Sequence, residues 1–309
     1  MLIACSSWLI LLKLRLYLNL IKLNGYCRDK ELQLESAMDA RYEQLLNGLL
    51  DPRLDEQLEL RFQPVVGCRA LCGVGVEALL RWCHPQLGWV SPEEFIAIAE
   101  QHALMRRLTL WVIKTSFNYL QRWLRQGMCV ELSMNVSMLD LESNYLLAAL
   151  RAAAEHSGVP PAQVIIELTE TAGVQNPVFA LRQVKRIQRQ GFHVALDDFG
   201  SGHAGLLQLA ALPVNRVKID RCIVKACEGS WQHQRVLIGL IEIAHQLGVD
   251  VVAEGVENAQ VQALLNANGC DYVQGYFIAS PLTVEEFKPW YQQQIKTHPK
   301  VRCAYKGKG

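Results

Sequence analysis

From Leu58 onward the chain alternates short β-forming runs with longer amphipathic stretches, and no other feature narrows its possible folds as far. Eight runs succeed one another: LRFQPVV, GVGVEALLRW, CVELSMNV, VIIELTE, HVALDDF, RVKID, DVVAEG and YVQGY. Most are separated by stretches of helical spacing, such as SPEEFIAIAEQHALMRRLTLWVIKTSFNYLQRWLRQ and WQHQRVLIGLIEIAHQLG. Strand and helix in alternation, with eight strands, predict an α/β (β/α)8 TIM-like barrel. An open doubly wound sheet is the weaker alternative, because no GxGxxG fingerprint follows the first run. A chain of 309 residues that is half hydrophobic can bury such a core, since one barrel commonly takes about 250 residues.

Charge and cysteine usage remove other classes. A net charge of +1 provides no broad basic field, so a long DNA or RNA polymer is not an expected partner. The ten cysteines are scattered without a CxxC pair, which excludes zinc-ribbon and dithiol redox spacings. They are expected to be reduced, mostly buried thiols.

The leading segment MLIACSSWLILLKLRLYLNLIKL is apolar, but Lys13 and Arg15 interrupt it. The clean run is shorter than the about 20 residues of a spanning helix. No positive residue precedes it and no small-residue cleavage site follows it at the usual distance, so a signal peptide is not expected. Three readings stay open: a membrane-surface helix or weak anchor over residues 2–22, a packed helix, or an extension of little consequence. If the segment anchors, Lys13, Arg15, Lys22, Arg28 and Lys30 would keep the downstream domain cytoplasmic. The expected division is a segment and charged linker over 1–38, the barrel over 39–295, and a basic tail over 296–309. The expected location is cytoplasmic, or the inner face of the inner membrane.

Barrel enzymes gather their chemistry where strands end at the C-terminal face, and here those ends are polar. They carry Glu77, Asn135, Glu167, the pair Asp197 and Asp198, Lys218, Glu254 and Gln274. Residues two apart on a strand share a face. Glu77, Leu79 and Arg81 therefore form one set, Ile165, Glu167 and Thr169 another, His193, Ala195 and Asp197 a third, and Arg216, Lys218 and Asp220 a fourth. Each strand can aim one functional group inward. Asp198 points the other way in a straight strand, so the chain is expected to turn at the FGSG that follows, with Gly200 and Gly202 permitting it. Five carboxylates and an asparagine carbonyl are hard oxygen ligands, suited to Mg²⁺ or Mn²⁺ rather than zinc. The alternative is that each acid is a solvated loop residue or an ion-pair partner.

The motifs QPVV, GVEALLRWCHP, SPEEFIAIAE, MNVS, ELTE, DDFGSG, LPVNRVKID, VVAEGVE and QGY stand in the order and spacing of the EAL domain, named for the triplet Glu77-Ala78-Leu79. The chain resembles that family over roughly residues 40–295. The resemblance implies a phosphodiesterase that opens cyclic di-GMP to the linear dinucleotide pGpG with two divalent ions, acting in bacterial second-messenger signalling. Glu77, Asn135, Glu167 and Asp197 resemble the ligands of one metal. Asp197 and Asp198, with Glu254, resemble those of the second. Lys218 resembles the lysine that contacts the attacking water, and Gln63, Leu79, Arg81, Asp220 and Gln274 match substrate-binding positions. Arg81, about 13 Å along the strand from Glu77, would engage a phosphate at the rim. Glu170 matches the glutamate that fixes the loop after the paired aspartates, with Gly200, Ser201 and Gly202 forming the lid. A homodimer is a further implication.

Departures are few. Ser280 stands where many members carry Lys or Arg, and Ser201 and His203 replace a commoner Thr and aromatic. A non-catalytic cyclic di-GMP receptor or protein-interaction domain is the alternative, usually marked by a broken triplet or a lost aspartate pair. Another phosphodiester substrate is a second one.

Overall fold

The computed structural model describes residues 28–68, 73–169, 177–200 and 209–297. The leading segment over 1–27 and residues 298–309 of the expected tail lie outside this set. Two compact units emerge, one of residues up to Glu59 together with Leu80–Leu108, the other of Leu60–Leu79 with Thr109 onward.

In chain order the elements are α1 (Arg28–Leu50), α2 (Leu54–Gln57), β1 (Leu58–Gly67), β2 (Val74–His84), β3 (Gly88–Val90), α3 (Pro92–Gln101), α4 (Met105–Arg125) and β4 (Val130–Val136). They continue with α5 (Met138–Leu141), α6 (Tyr145–Ser157), β5 (Val164–Thr169), α7 (Pro177–Arg189), β6 (His193–Phe199) and β7 (Arg216–Ile219). The last are α8 (Arg221–Ala226), α9 (Trp231–Gln246), β8 (Asp250–Ala253), α10 (Ala259–Ala267), β9 (Tyr272–Gln274) and α11 (Val284–Thr297).

In the first unit, α1 is tied to α3 by Arg41, whose guanidinium makes two hydrogen bonds to Glu94 at 2.6 and 2.9 Å. The end of β2 pairs antiparallel with β3, a hairpin absent from the sequence expectation. The stretch read as one long helix is two, α3 and α4, broken where Ala103 takes a left-handed φ of 56°. Neither Gly nor Pro marks that break.

In the second unit the strands run in the order β1-β9-β8-β7-β6-β5-β4-β2, and a β1–β2 pairing closes the ring. All eight predicted runs are strands. Seven follow the parallel pattern, but β1 pairs antiparallel with β9, Val65 opposite Gln274 and Gly67 opposite Tyr272. The barrel is buried on both faces. Val164, Ile166 and Leu168 form the outward face of β5, and Phe62 of β1 packs its ring against Trp123 of α4 at 5.0 Å. At the strands' N-terminal end the buried Arg216 is held by Glu131 at 3.1 Å and lies over the Tyr272 ring at 4.0 Å.

Cysteine chemistry departs from expectation at one position. Cys129 is disulfide-bonded, whereas Cys68, Cys83, Cys222, Cys227 and Cys270 are free. Two of the free thiols, at Cys83 and Cys222, are exposed rather than buried. Scattered spacing carries no signal for a link formed by tertiary proximity.

Candidate metal centre

Strand register assembles the site. Paired residues on neighbouring strands share a face, and each step around the barrel raises the equivalent position by two residues. Glu77 pairs with Ser133, and Asn135, two residues on, pairs with Glu167. Glu167 pairs with Ala195, and Asp197 lies two residues beyond. Lys218 pairs with Val252, and Val252 with Tyr272, which puts Glu254 and Gln274 on the same inward face. One polar group per strand thus converges at the C-terminal rim.

The paired aspartates reach this rim through an irregularity within β6 itself. Leu196 pairs with Val217 and Phe199 with Ile219, so Asp197 and Asp198 together oppose the single residue Lys218. This is a β-bulge. Asp198 itself adopts φ 56°, a left-handed conformation that Asp and Asn tolerate better than other side-chain-bearing residues. The chain therefore already departs from a straight strand inside β6, ahead of Gly200, while Ser201 and Gly202 lie outside the described residues. Gly200 is favoured there by its left-handed φ of 91°, which residues bearing a Cβ rarely adopt.

Lys218 occupies the centre of the cluster. Its buried Nζ lies 2.9 Å from Glu254, 3.0 Å from Glu167, 3.1 Å from Asp197 and 3.2 Å from Glu77. Glu77 also accepts hydrogen bonds from Asn135 Nδ2 and Gln274 Nε2, both at 2.7 Å. Gln274 Nε2 reaches Gln63 Oε1 at 3.2 Å, while the buried Gln274 Oε1 has no protein partner. The backbone N–H of Asp198 donates to Asp197 Oδ1 at 2.9 Å.

Electrostatics follow from this crowding. Burial would raise Glu77, but Lys218 and the bonds from Gln274 and Asn135 outweigh it and hold that carboxyl below its ordinary range. Burial pushes Glu167 well up, with Glu77 and Asp197 adding to the rise. Asp197 is raised chiefly by burial. Asp198 is pushed up to about 6 by burial and the charges of Asp197 and Asp220, and Glu254 to about 8 by burial, which Lys218 only partly opposes. Burial works against the Lys218 charge, yet the surrounding carboxylates win and raise it well above the lysine range.

Two overlapping sets could each hold a cation: Glu77, Glu167 and Asp197, and then Asp197, Asp198 and Glu254. Within each, ligand oxygens lie within 4.8 Å of one another. The cluster sets five carboxylates against one ammonium, so when all are ionised four negative charges stay uncompensated, the charge of two divalent cations. The donor set fits hard oxygen-preferring metals.

This balance predicts a pH dependence. For Glu254 in the metal-free protein, with a pKa of about 8 against 4.5 when unfolded, the protonated form is favoured by folding. Its contribution is fully present below about pH 4.5 and is lost as pH rises through about 8. The thermal midpoint without metal, followed by circular dichroism, is expected to fall across that window, and saturating Mg²⁺ is expected to flatten the fall. A pH-independent midpoint would contradict a jointly buried acid cluster.

Other predicted residues occupy different places. Arg81 belongs to the first unit, where its Nη1 donates to the carbonyl of Leu80 at 3.0 Å. Leu79 is half-buried at the end of the inward set. Asp220 caps α8, accepting from the Cys222 N–H at 2.7 Å. Glu170, Ser201, Gly202 and His203 lie outside the described residues.

Two supporting features escaped the sequence reading. Asp140 is buried and accepts from Thr109 at 2.6 Å, from Ser137 at 2.9 Å and from Tyr145, pinning the turn that follows Asn135. The run Ser137-Met138-Leu139-Asp140 has the spacing of a capping box, so a signal was present. At Gly275 a Cβ would lie 2.2 Å from the Val256 oxygen and 2.3 Å from its nitrogen. Only glycine lets the chain after Gln274 cross the chain after Glu254 this closely.

Comparison with known proteins agrees with this geometry. The model of the EAL domain family matches residues 46–281. A cyclic di-GMP phosphodiesterase of Pseudomonas aeruginosa is 37% identical over 240 residues, 77% of this chain and 41% of that protein. The cyclic di-GMP phosphodiesterase PdeR of Escherichia coli is 31% identical over 242 residues, 78% of this chain and 36% of its own length. The chain thus spans less than half of these curated relatives. The solved structure of the PaMucR phosphodiesterase in complex with c-di-GMP superposes with a TM-score of 0.73 at 30% identity, covering 79% of this chain and 99% of that one.

Proposed function

The chain belongs to the EAL domain family, and from that premise we propose that it is a phosphodiesterase hydrolysing cyclic di-GMP to linear pGpG with two Mg²⁺ or Mn²⁺ ions. The observation that carries this reading is the gathering of five carboxylates on a single barrel face, four of them in ion pairs with one buried ammonium. A binding-only domain has no need of so costly a cluster, and the triplet and aspartate pair that such domains usually break are intact.

Glu77, Asn135, Glu167 and Asp197 would hold one ion, and Asp197, Asp198 and Glu254 the other. Paired divalent ions, when bound, lower the pKa of water and stabilise entering and leaving oxygens at phosphorus. Lys218 would donate a hydrogen bond to the attacking water and keep the carboxylates ionised. Gln274 would orient substrate or water through its unpartnered Oε1, with its Nε2 fixed by Glu77 and Gln63. Arg81 would bind a substrate phosphate, its forked donors suiting the anion. Leu79 and Asp220 would line the substrate, and Glu170, Gly200, Ser201 and Gly202 would shape the lid. The same reading makes residues 39–295 the catalytic barrel, acting as a homodimer on the cytoplasmic side. Weak membrane association would fall to the apolar residues 2–22; among the described residues no helix is long and apolar enough to cross a membrane.

The test is incubation of the purified chain with cyclic di-GMP and Mg²⁺ or Mn²⁺, with product identified by chromatography. Linear pGpG is expected, its formation abolished by a chelator and restored by metal. Binding without product would favour the receptor reading, and preference for another diester would change the substrate. Arg81→Ala is expected to raise KM about 10-fold or more while kcat changes less, as for a lost uniform binding contact.

A further inference from the structure

The chain holds nearly equal numbers of basic and acidic residues, 31 and 30, yet α7 segregates them: its charged residues are Arg182, Lys185, Arg186 and Arg189. At 3.6 residues per turn, Val178, Arg182, Lys185 and Arg189 fall on one stripe, with Arg186 beside it. All five are exposed, Val178 by 67%. The opposite face carries Ala180, Gln183, Val184 and Ile187, all buried, so the helix packs against the barrel and turns its cations to solvent. Among the described residues none of the four cations is in an ion pair, and Arg186 donates to Gln183 Oε1 at 3.1 Å. On α6, by contrast, Arg151 meets Glu155 one turn away at 3.5 Å.

We propose that this outer face of α7 is a docking surface for an anionic lipid bilayer. Arg182 and Arg186 are four residues apart, as are Lys185 and Arg189, and like charges at that spacing repel and weaken a helix. The helix dipole offsets the repulsion for Arg186 and Arg189 in the last turn, but not for Arg182 and Lys185 in the middle. What the fold leaves uncompensated, an external array of anions compensates. The stripe runs about 16 Å along a straight helix, so a flat layer of headgroups meets all of its cations at once, and each basic residue held near such a surface adds to binding. Val178, at the head of the stripe, is apolar and enters the headgroup boundary, a mixture of cation and hydrocarbon that suits a membrane surface. A nucleic-acid polymer is the poorer fit, because the near-neutral chain lacks the broad basic field such a partner needs. The sequence holds a second signal of the same kind in the apolar residues 2–22, with Lys13 and Arg15 among them, and an apolar insertion combined with a basic patch holds a protein on a bilayer more firmly than either alone. No residue of the metal centre takes part.

The test sediments the full chain with vesicles of phosphatidylcholine containing phosphatidylserine, and with vesicles of phosphatidylcholine alone. Preference for the anionic vesicles, weakened by added salt, is expected. Arg182→Gln, Lys185→Gln and Arg189→Gln combined should lower that partition about 100-fold, or about 5-fold for each residue. Arg235→Gln, at an exposed cation of α9, should leave it nearly unchanged. The triple variant should unfold at or above the parent's thermal midpoint, since glutamine suits a helix and like charges are removed. Equal sedimentation of parent and triple variant, or no preference for anionic vesicles, would overturn the inference. So would tighter binding of duplex DNA that the triple variant loses, which would reassign the face to nucleic acid. Sedimentation needs no turnover, and the triple variant should hydrolyse free cyclic di-GMP at the parent's rate, so this result and that of the phosphodiesterase test are read separately.

Discussion

Glu77→Ala is expected to reduce turnover of cyclic di-GMP by at least about 10³-fold, a barrier increase of roughly 4 kcal/mol. The side chain joins four strands, since its oxygens receive Asn135 of β4, Lys218 of β7 and Gln274 of β9 while it stands on β2. Truncation deletes a proposed metal ligand and strips the buried Gln274 amide of its acceptor, which costs about 1–3 kcal/mol for such a group. Glu77→Gln separates these effects, because it keeps the volume but not the charge. Loss of turnover in both variants, with a higher metal concentration needed for half-maximal rate, is the expected pattern. Wild-type turnover by either would falsify the metal assignment, provided circular dichroism shows the variant folded.

Lys218→Met is expected to impair the metal-free fold as well as catalysis. The ammonium is within hydrogen-bonding distance of four carboxylates and almost wholly removed from water. Deleting one partner of a buried ion pair costs about 3–5 kcal/mol, because the remaining charge is left uncompensated. Urea unfolding in the presence of a chelator should show a loss of that order, and saturating Mg²⁺ should recover part of it by replacing the missing positive charge. Turnover should stay low even with metal present. If the variant matched the parent's stability without metal, the acids would have to be neutral at no cost, which the depressed Glu77 argues against.

Much of the site was legible because strand geometry is local. Glu77, Glu167 and Asp197 follow from period-two alternation alone, and all three stand inward as that pattern requires. Other features had no local signal. The run LRFQPVV has the same pattern whether its strand is parallel or antiparallel, so the direction of β1 could not be read from it. The break at Ala103 contains neither Gly nor Pro. The bulge at Asp197 and Asp198 is a mismatch of count between β6 and β7, and only the partner strand reveals it.

The amino-acid order by itself determined the succession of strands and helices, the inward polar residue on each strand and the oxygen-rich character of the rim. These depend on backbone periodicity, which acts between residues a few positions apart. The tertiary structure alone decided that Lys218 sits among four acids and that Glu77 is depressed while Glu254 rises to about 8. Coulomb and desolvation energies depend on distance through space and on access to water, and both are set by which distant strands pair.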